Sequence, residues 1–234
     1  MLIREKNMKF DFDYFNFHEI FAINQEFVLS TEEIPKSNGK QVLIIDDFYQ
    51  DVSKVRTIAL NCPYTNLKEI IQDAPVFRTY LPKYDYINVI LAQIFNKTYG
   101  IKLKSIDMFM FTLQTEEILN STIRHSFAHT DTQNENQTFA GVLYLHDDTF
   151  GTSFYENKNP QISGVVDSYI IRYPSVFHET DLNQYNLLKT IPAKENRCII
   201  YDGFMYHRPA YQDYSGKGDR LTQNFWFEHD TNIR

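Results

Sequence analysis

The stretch FAGVLYL, residues 139–145, decides the fold, because it is a short apolar run with the β-branched and aromatic residues that favour strands. Similar runs lie on both sides of it, separated by Asp-Gly, Asn-Pro and Asp-Asp turn signals. They occupy residues 108–113, 152–155, 165–173, 197–201 and 221–227. Several short strands with no helical pattern between them indicate an antiparallel sandwich or barrel.

The first hundred residues follow a different pattern. The run VLII, residues 42–45, is typical of a short buried strand. Residues 51–60 and 84–98 place apolar side chains at helical spacing, and Tyr99-Gly100 ends the second run. Residues 1–40 are weakly patterned. We therefore predict that residues 1–104 contribute one strand and two helices that pack on the β-core.

The whole chain, residues 1–234, is predicted to be a single domain, since its length and its 43% of hydrophobic residues suit one large core. The β-core spans residues 105–229. Residues 156–195 are its least regular part and are expected to form an insertion. The net charge of −7, with no basic stripe, disfavours a nucleic-acid partner.

The sequence also bears on the cellular location. The first ten residues carry charges but no apolar signal segment, and no run is long enough to span a bilayer. Cys62 and Cys198 are too few for a disulfide framework. A soluble, cytoplasmic protein without a membrane partner is expected, and the oligomeric state stays open.

The first chemical feature is His129-Thr130-Asp131. Residues two apart on a strand point to the same side, so the imidazole and the carboxylate can reach one metal ion. His207, which follows a strand and an Asp-Gly turn, would complete a two-histidine, one-carboxylate triad of the kind found in Fe(II) oxygenases. Alone, an H-x-D triplet more often marks a surface turn, and a lone histidine is more often a hydrogen-bonded core residue.

The second feature is Arg220, which faces the same side of a strand as Thr222. An arginine can bind a carboxylate through two parallel hydrogen bonds, although at a strand edge it can also be an ordinary solvated charge. Arg78, Arg124 and Arg208 could bind an anionic group of a substrate, but for each a salt bridge is the commoner role.

The order of these features resembles the 2-oxoglutarate/Fe(II) dioxygenases, and more closely their prolyl-hydroxylase-like branch. GVLYL (141–145) followed by GTSFY (151–155) resembles the "YL … GGT-F" strands of that branch, with one glycine in place of two. IPAKENRCIIY (191–201) resembles its "P-x-x-G/N-R" strand, and Trp226 its closing strand. The chain also resembles an uncharacterised jelly-roll group encoded near flavin-dependent tryptophan halogenases. The resemblance covers residues 105–229.

This resemblance implies a mainly β fold, a double-stranded β-helix (jelly roll) with the N-terminal helices packed on one sheet. It implies Fe(II), 2-oxoglutarate and O2 as cofactor and cosubstrates. The implied metal ligands are His129, Asp131 and His207, and the implied 2-oxoglutarate residues are Arg220, Thr222 and Tyr144.

The expected reaction is C–H hydroxylation of an amino acid, a peptide side chain or another small metabolite. Asp131 favours hydroxylation, since related halogenases carry a small residue there, while desaturation and ring closure stay open. Two other functions also stay open. A cupin-like dioxygenase or zinc hydrolase would use the triad without 2-oxoglutarate, but would leave Arg220-x-Thr222 without a purpose. A non-enzymatic binding module would be expected to have lost the triad, which is intact.

Overall fold

The computed structural model describes residues 16–66, 76–81, 85–115, 128, 130–131, 137–146, 151–158, 185–210 and 218–229. Its helices are α1 (Phe17–Ile20), α2 (Val52–Asn61) and α3 (Asp85–Tyr99). Its first six strands are β1 (Val28–Glu33), β2 (Gln41–Asp46), β3 (Thr65–Asn66), β4 (Phe77–Tyr80), β5 (Leu103–Gln114) and β6 (Gln137–Tyr144). The others are β7 (Thr152–Asn157), β8 (Tyr185–Ile191), β9 (Cys198–Asp202), β10 (Tyr206–Pro209) and β11 (Arg220–His229).

The strands form two antiparallel sheets. The larger has eight strands in the order β1-β2-β9-β6-β11-β5-β4-β3, and the smaller has three in the order β10-β7-β8. The predicted mainly β architecture is therefore confirmed, and it is consistent with a jelly roll. No pairing that joins the two sheets occurs within the described ranges.

Side chains alternate across the larger sheet, which gives it two different faces. On one face, Leu143 and Phe225 pack in a cluster with Val55 of α2 and with Leu91 and Phe95 of α3. We call the opposite face the inner face. There a second cluster combines residues of the larger sheet with residues of β7 and β8: Val42, Ile44, Met110, Ala140, Val142, Tyr144, Ile199, Tyr201 and Trp226 with Phe154 and Ile191. The described polar side chains of the candidate site lie on, or opposite, this inner face.

The predicted elements before Gly100 are present as β2, α2 and α3, but that region holds three further strands, β1, β3 and β4. The expectation of one strand there is wrong because β1 is an edge strand with almost all its residues exposed. Such a strand needs no buried side, so VLSTEE carries no alternating apolar pattern. The strand predicted at 165–173 lies outside the described residues.

The predicted insertion at 156–195 contains part of the smaller sheet. β7 continues to Asn157, and β8 (Tyr185–Ile191) pairs with it. The backbones come unusually close where β7 begins, since a Cβ on Gly151 would lie 1.6 Å from the Ile191 carbonyl oxygen. Residues 159–184 lie outside the described part of the chain. Among the described helices, none has the length and apolar character that crossing a bilayer requires.

Candidate active site

Asp131 and His207 come from distant parts of the chain and meet beside the inner face. His207 lies on β10, directly opposite Phe154, and is 5% exposed. The Asp131 amide donates to the Gly203 carbonyl in the turn before β10 (2.9 Å), which brings the carboxylate towards the histidine. As a result, Asp131 Oδ2 lies 3.2 Å from His207 Nε2. Asp131 itself is not in a described strand, unlike the expectation for the H-x-D segment.

The hydrogen bonds of His207 fix which ring nitrogen faces Asp131. Nδ1 lies 2.9 Å from the Met205 carbonyl oxygen, which can only accept, so Nδ1 carries a proton and Nε2 points towards the carboxylate. Burial opposes protonation of the ring, but the Asp131 carboxylate and the Met205 carbonyl outweigh it, so the pKa of His207 is raised. A metal that binds Nε2 must therefore compete with a proton.

His129, the third predicted ligand, lies outside the described residues. Within the described part of the chain, no group of three candidate donor side chains occurs. The structure thus brings together two of the three predicted ligands.

Arg220, the first residue of β11, is on the inner face and 5% exposed. One terminal nitrogen, Nη1, donates to Gln114 Oε1 of the neighbouring β5 (3.2 Å), and the guanidinium carbon lies 6.0 Å from the centre of the Tyr144 ring. Its Nε is buried without a hydrogen-bond partner. A buried charged donor without a partner is costly, so this atom marks a place where an acceptor from a ligand fits.

The other two predicted 2-oxoglutarate residues are near Arg220 on the same face, since Thr222 is directly opposite Tyr144. Both already have protein partners. Thr222 Oγ1 donates to Asn224 Oδ1 (3.0 Å), and the Tyr144 hydroxyl lies 2.8 Å from Thr152 Oγ1. In contrast to Arg220 Nε, neither hydroxyl is therefore without a hydrogen-bond partner.

The sequence analysis did not include Thr112 among the site residues. It lies on β5 opposite Thr222, is 6% exposed, and its hydroxyl is buried without a hydrogen-bond partner. Arg220 pairs with Gln114, two residues along β5, so Thr112 and Arg220 are diagonal neighbours on one face. The sequence signal that could have identified Thr112 is its position as a polar residue inside the apolar run MFMFTL.

The other candidate arginines differ in position. Arg78 of β4 is opposite Thr112 and so shares the inner face. Arg208 of β10 is next to His207 in sequence and points to the other side of its strand, where its Nε donates to the Tyr155 hydroxyl (2.8 Å). Arg124 lies outside the described residues.

Comparison with known proteins adds a family and a fold. The family model of DUF6445, described as a family of unknown function, matches residues 26–226. No curated protein matches the sequence.

Solved structures with similar folds include two oxygenases. One is SnoK, a non-haem α-ketoglutarate-dependent carbocyclase from nogalamycin biosynthesis, with a TM-score of 0.51 and 11% identity over 80% of this chain and 79% of that chain. The other is HygX from Streptomyces hygroscopicus, solved with nickel, 2-oxoglutarate and hygromycin B, with a TM-score of 0.51 and 10% identity over 80% of this chain and 82% of that chain. At these identities the similarity concerns the fold alone. The assignment to the prolyl-hydroxylase-like branch and to the halogenase-associated group stays a prediction.

Proposed function

This chain belongs to the DUF6445 family, and we propose that it is a non-haem Fe(II) oxygenase that consumes 2-oxoglutarate. The observation that carries the proposal is that two metal-type donors and a buried arginine whose Nε lacks an acceptor share one inner face. The donor pair is Asp131 with His207, and the arginine is Arg220.

The donor pair fits a metal ion because the two atoms are close enough to bind one ion together. Asp131 Oδ2 and His207 Nε2 are 3.2 Å apart, and because Nδ1 is held by the Met205 carbonyl, Nε2 is the ring nitrogen that a metal would bind in place of a proton. With His129 as the third ligand, the set is the two-histidine, one-carboxylate triad that Fe(II) oxygenases use. Fe(II) would be held by these three residues.

The arginine fits the far carboxylate of 2-oxoglutarate. Nε of Arg220 has no partner, while Nη1 is held by Gln114 and fixes the plane of the guanidinium. A carboxylate placed against this edge satisfies the buried charge and forms parallel hydrogen bonds. Thr112 would add its hydroxyl, and Thr222 and Tyr144 would line the pocket. No such clamp is needed by a cupin-like enzyme that works without 2-oxoglutarate.

When bound, iron, 2-oxoglutarate and dioxygen supply the oxidation of a substrate C–H bond, with succinate and carbon dioxide as co-products. The protein residues hold and orient these groups. Asp131 and His207 would hold the metal, and Arg220 would hold the cosubstrate's far carboxylate. Trp226 and Phe154 are buried in the inner-face cluster, and their side chains would exclude water from the site next to the metal donors and Arg220. Because Asp131 keeps its carboxylate, we propose hydroxylation, with an amino acid, a peptide side chain or a small metabolite as substrate.

The proposal is tested by succinate formation from 2-oxoglutarate with anaerobically added Fe(II), in the absence of a substrate. Slow uncoupled turnover is expected in the wild type, together with a nickel-dependent affinity for 2-oxoglutarate in calorimetry. His207→Ala should lose both because a metal ligand is gone. Arg220→Ala should keep metal binding and lose 2-oxoglutarate binding.

Arg208→Ala is the matched control, since it removes an arginine next to His207 whose side chain points away from the inner face. It should keep both properties. A wild type that binds iron or nickel but neither binds nor consumes 2-oxoglutarate would favour a cupin-like metalloenzyme. A wild type that binds neither would leave a non-enzymatic module.

A further inference from the structure

Tyr201 lies at the end of β9 beside the two described metal donors, although no sequence motif indicates a role for its side chain. It is opposite Ala140 of β6, belongs to the inner-face cluster and is 1% exposed. The small side chain of Ala140 leaves the phenol ring free to extend across the inner face towards β10.

One side chain thereby contacts both donors. The Tyr201 hydroxyl donates a long hydrogen bond to Asp131 Oδ2 (3.4 Å). Its ring centre lies 4.6 Å from that of His207, with 58° between the planes, and 5.1 Å from Phe154 in an edge-on contact. Phe154 is directly opposite His207 in the smaller sheet, with 6.4 Å between the two ring centres, so the three rings form one aromatic cluster.

Resting on the proposed function, we infer that Tyr201 is a positioning residue for the metal centre. Asp131 Oδ2 lies 3.2 Å from His207 Nε2 and 3.4 Å from the Tyr201 hydroxyl. The phenol therefore orients the Asp131 carboxylate so that Oδ2 is the oxygen that faces the metal. The carboxylate would then bind the metal through this one oxygen. The Tyr201 ring also limits rotation of the His207 imidazole, which the Met205 carbonyl already holds through Nδ1.

The two effects have separate physical causes. A hydrogen bond to a ligating carboxylate fixes its orientation and withdraws some negative charge from the bound oxygen, and loss of such a partner weakens metal binding by about 10- to 100-fold. The ring contact is a packing effect, which phenylalanine would preserve and a smaller aliphatic residue would not.

The test is the nickel affinity of Tyr201→Phe, measured by calorimetry on metal-free protein. We expect a loss of about 10-fold or more relative to wild type, with the melting temperature of the metal-free protein unchanged. The visible absorption bands of the cobalt-loaded protein should also shift, since they report the ligand field and not the folding stability. Tyr201→Leu should weaken nickel binding further because the ring contact with His207 is lost.

Tyr155→Phe is the matched control, since it removes a phenol hydroxyl from the neighbouring sheet that serves Arg208 instead of a metal donor. Its nickel affinity and cobalt bands should equal those of wild type. The inference is overturned if Tyr201→Phe retains wild-type nickel affinity and cobalt bands. If the wild type binds nickel but uses no 2-oxoglutarate, the proposed function fails while the role of Tyr201 stands. If the wild type binds no nickel, both fail.

Discussion

At the scale of single residues, Thr112 offers a test of the ligand pocket that does not touch the metal donors. Its buried hydroxyl lacks a partner, so Thr112→Val removes an unsatisfied polar group without changing the shape of the side chain. We expect the free energy of unfolding of the ligand-free protein to stay equal or to rise by up to about 1 kcal/mol. The affinity of the nickel-loaded protein for 2-oxoglutarate, measured by calorimetry, should fall about tenfold, since one hydrogen bond to a carboxylate is lost.

Thr79→Val is the control for this change. Thr79 is also 6% exposed, but it is opposite Phe111 and so faces the helices. Its replacement should leave 2-oxoglutarate binding unaltered. Equal 2-oxoglutarate affinities for wild type and Thr112→Val would remove Thr112 from the pocket.

Gly151 and Gly39 show two different reasons for a glycine. A Cβ on Gly151 would lie 1.6 Å from the Ile191 carbonyl oxygen, whereas a Cβ on Gly39 would have open space around it and only the strain of φ +78°. Gly151→Ala should therefore lower the free energy of unfolding by more than about 2 kcal/mol, because the β8 backbone has to move. Gly39→Ala should cost about 1 kcal/mol. Urea denaturation compares them, and equal costs would contradict the close approach of β7 and β8.

At the scale of elements, an ion pair joins the end of β2 to the turn before β9. Arg197 binds the Asp46 carboxylate with two nitrogens, Nε to Oδ1 at 2.7 Å and Nη2 to Oδ2 at 3.0 Å, and donates to the Pro192 carbonyl as well. The hydrogen bond from Arg197 is the main reason that the pKa of Asp46 is lowered. Asp46→Asn should reduce the free energy of unfolding by about 1–2 kcal/mol at neutral pH.

The pH dependence of this difference has a definite sign. Because the pKa of Asp46 is lower in the folded protein than in the unfolded chain, its stabilising contribution is present above the unfolded pKa of about 3.9. It is lost as the pH falls through the folded pKa. Wild type and Asp46→Asn should therefore converge in urea denaturation below about pH 4. Glu32→Gln, which breaks a more exposed pair with Lys189, should cost less than about 1 kcal/mol and serves as comparison.

The sequence predicted those strands that are buried on both faces and those helices that are buried along one side. β2, β6, β9 and β11 have apolar runs because both of their faces pack against other residues, and α2 and α3 show helical spacing because one side of each packs on the larger sheet. β1 and β8 were missed because they are edge strands, β1 with five of six residues exposed and β8 with one of seven buried, and such a strand carries no apolar pattern.

At the scale of the whole molecule, the order of Asp131, His207 and Arg220 in the sequence was enough to predict a shared site, and the structure places the first two side by side. The positions of Thr112 and Tyr201 could not be predicted, since they follow from strand pairing. Thr112 lies near Arg220 because β5 pairs with β11, and Tyr201 lies near His207 because the end of β9 approaches β10. Pairings between strands far apart in sequence leave no local signal.

The proposed site has metal donors at one end and Arg220 at the other, and metal binding there should change the stability of the whole domain. Metal that binds Asp131 and His207 links the segment before β6 to β10, so saturating nickel should stabilise the folded state by about 2.7 kcal/mol at 100 times its dissociation constant. For a chain of this size the melting temperature should rise by about 5–10 °C, and a chelator should reverse the change. His207→Ala should show no rise, and Arg208→Ala should match the wild type.

The coupling between metal and cosubstrate distinguishes one site from two. If 2-oxoglutarate binds the metal at one end and Arg220 at the other, it should raise the melting temperature strongly in the presence of nickel and only weakly without it, because half of its contacts then disappear. By the same linkage, 2-oxoglutarate should tighten nickel binding by an equal factor. A melting-temperature increase from 2-oxoglutarate that is identical with and without nickel would mean that Arg220 binds an anion remote from the metal donors. The two ends of the site would then serve separate ligands, and the proposed cosubstrate chemistry would be wrong.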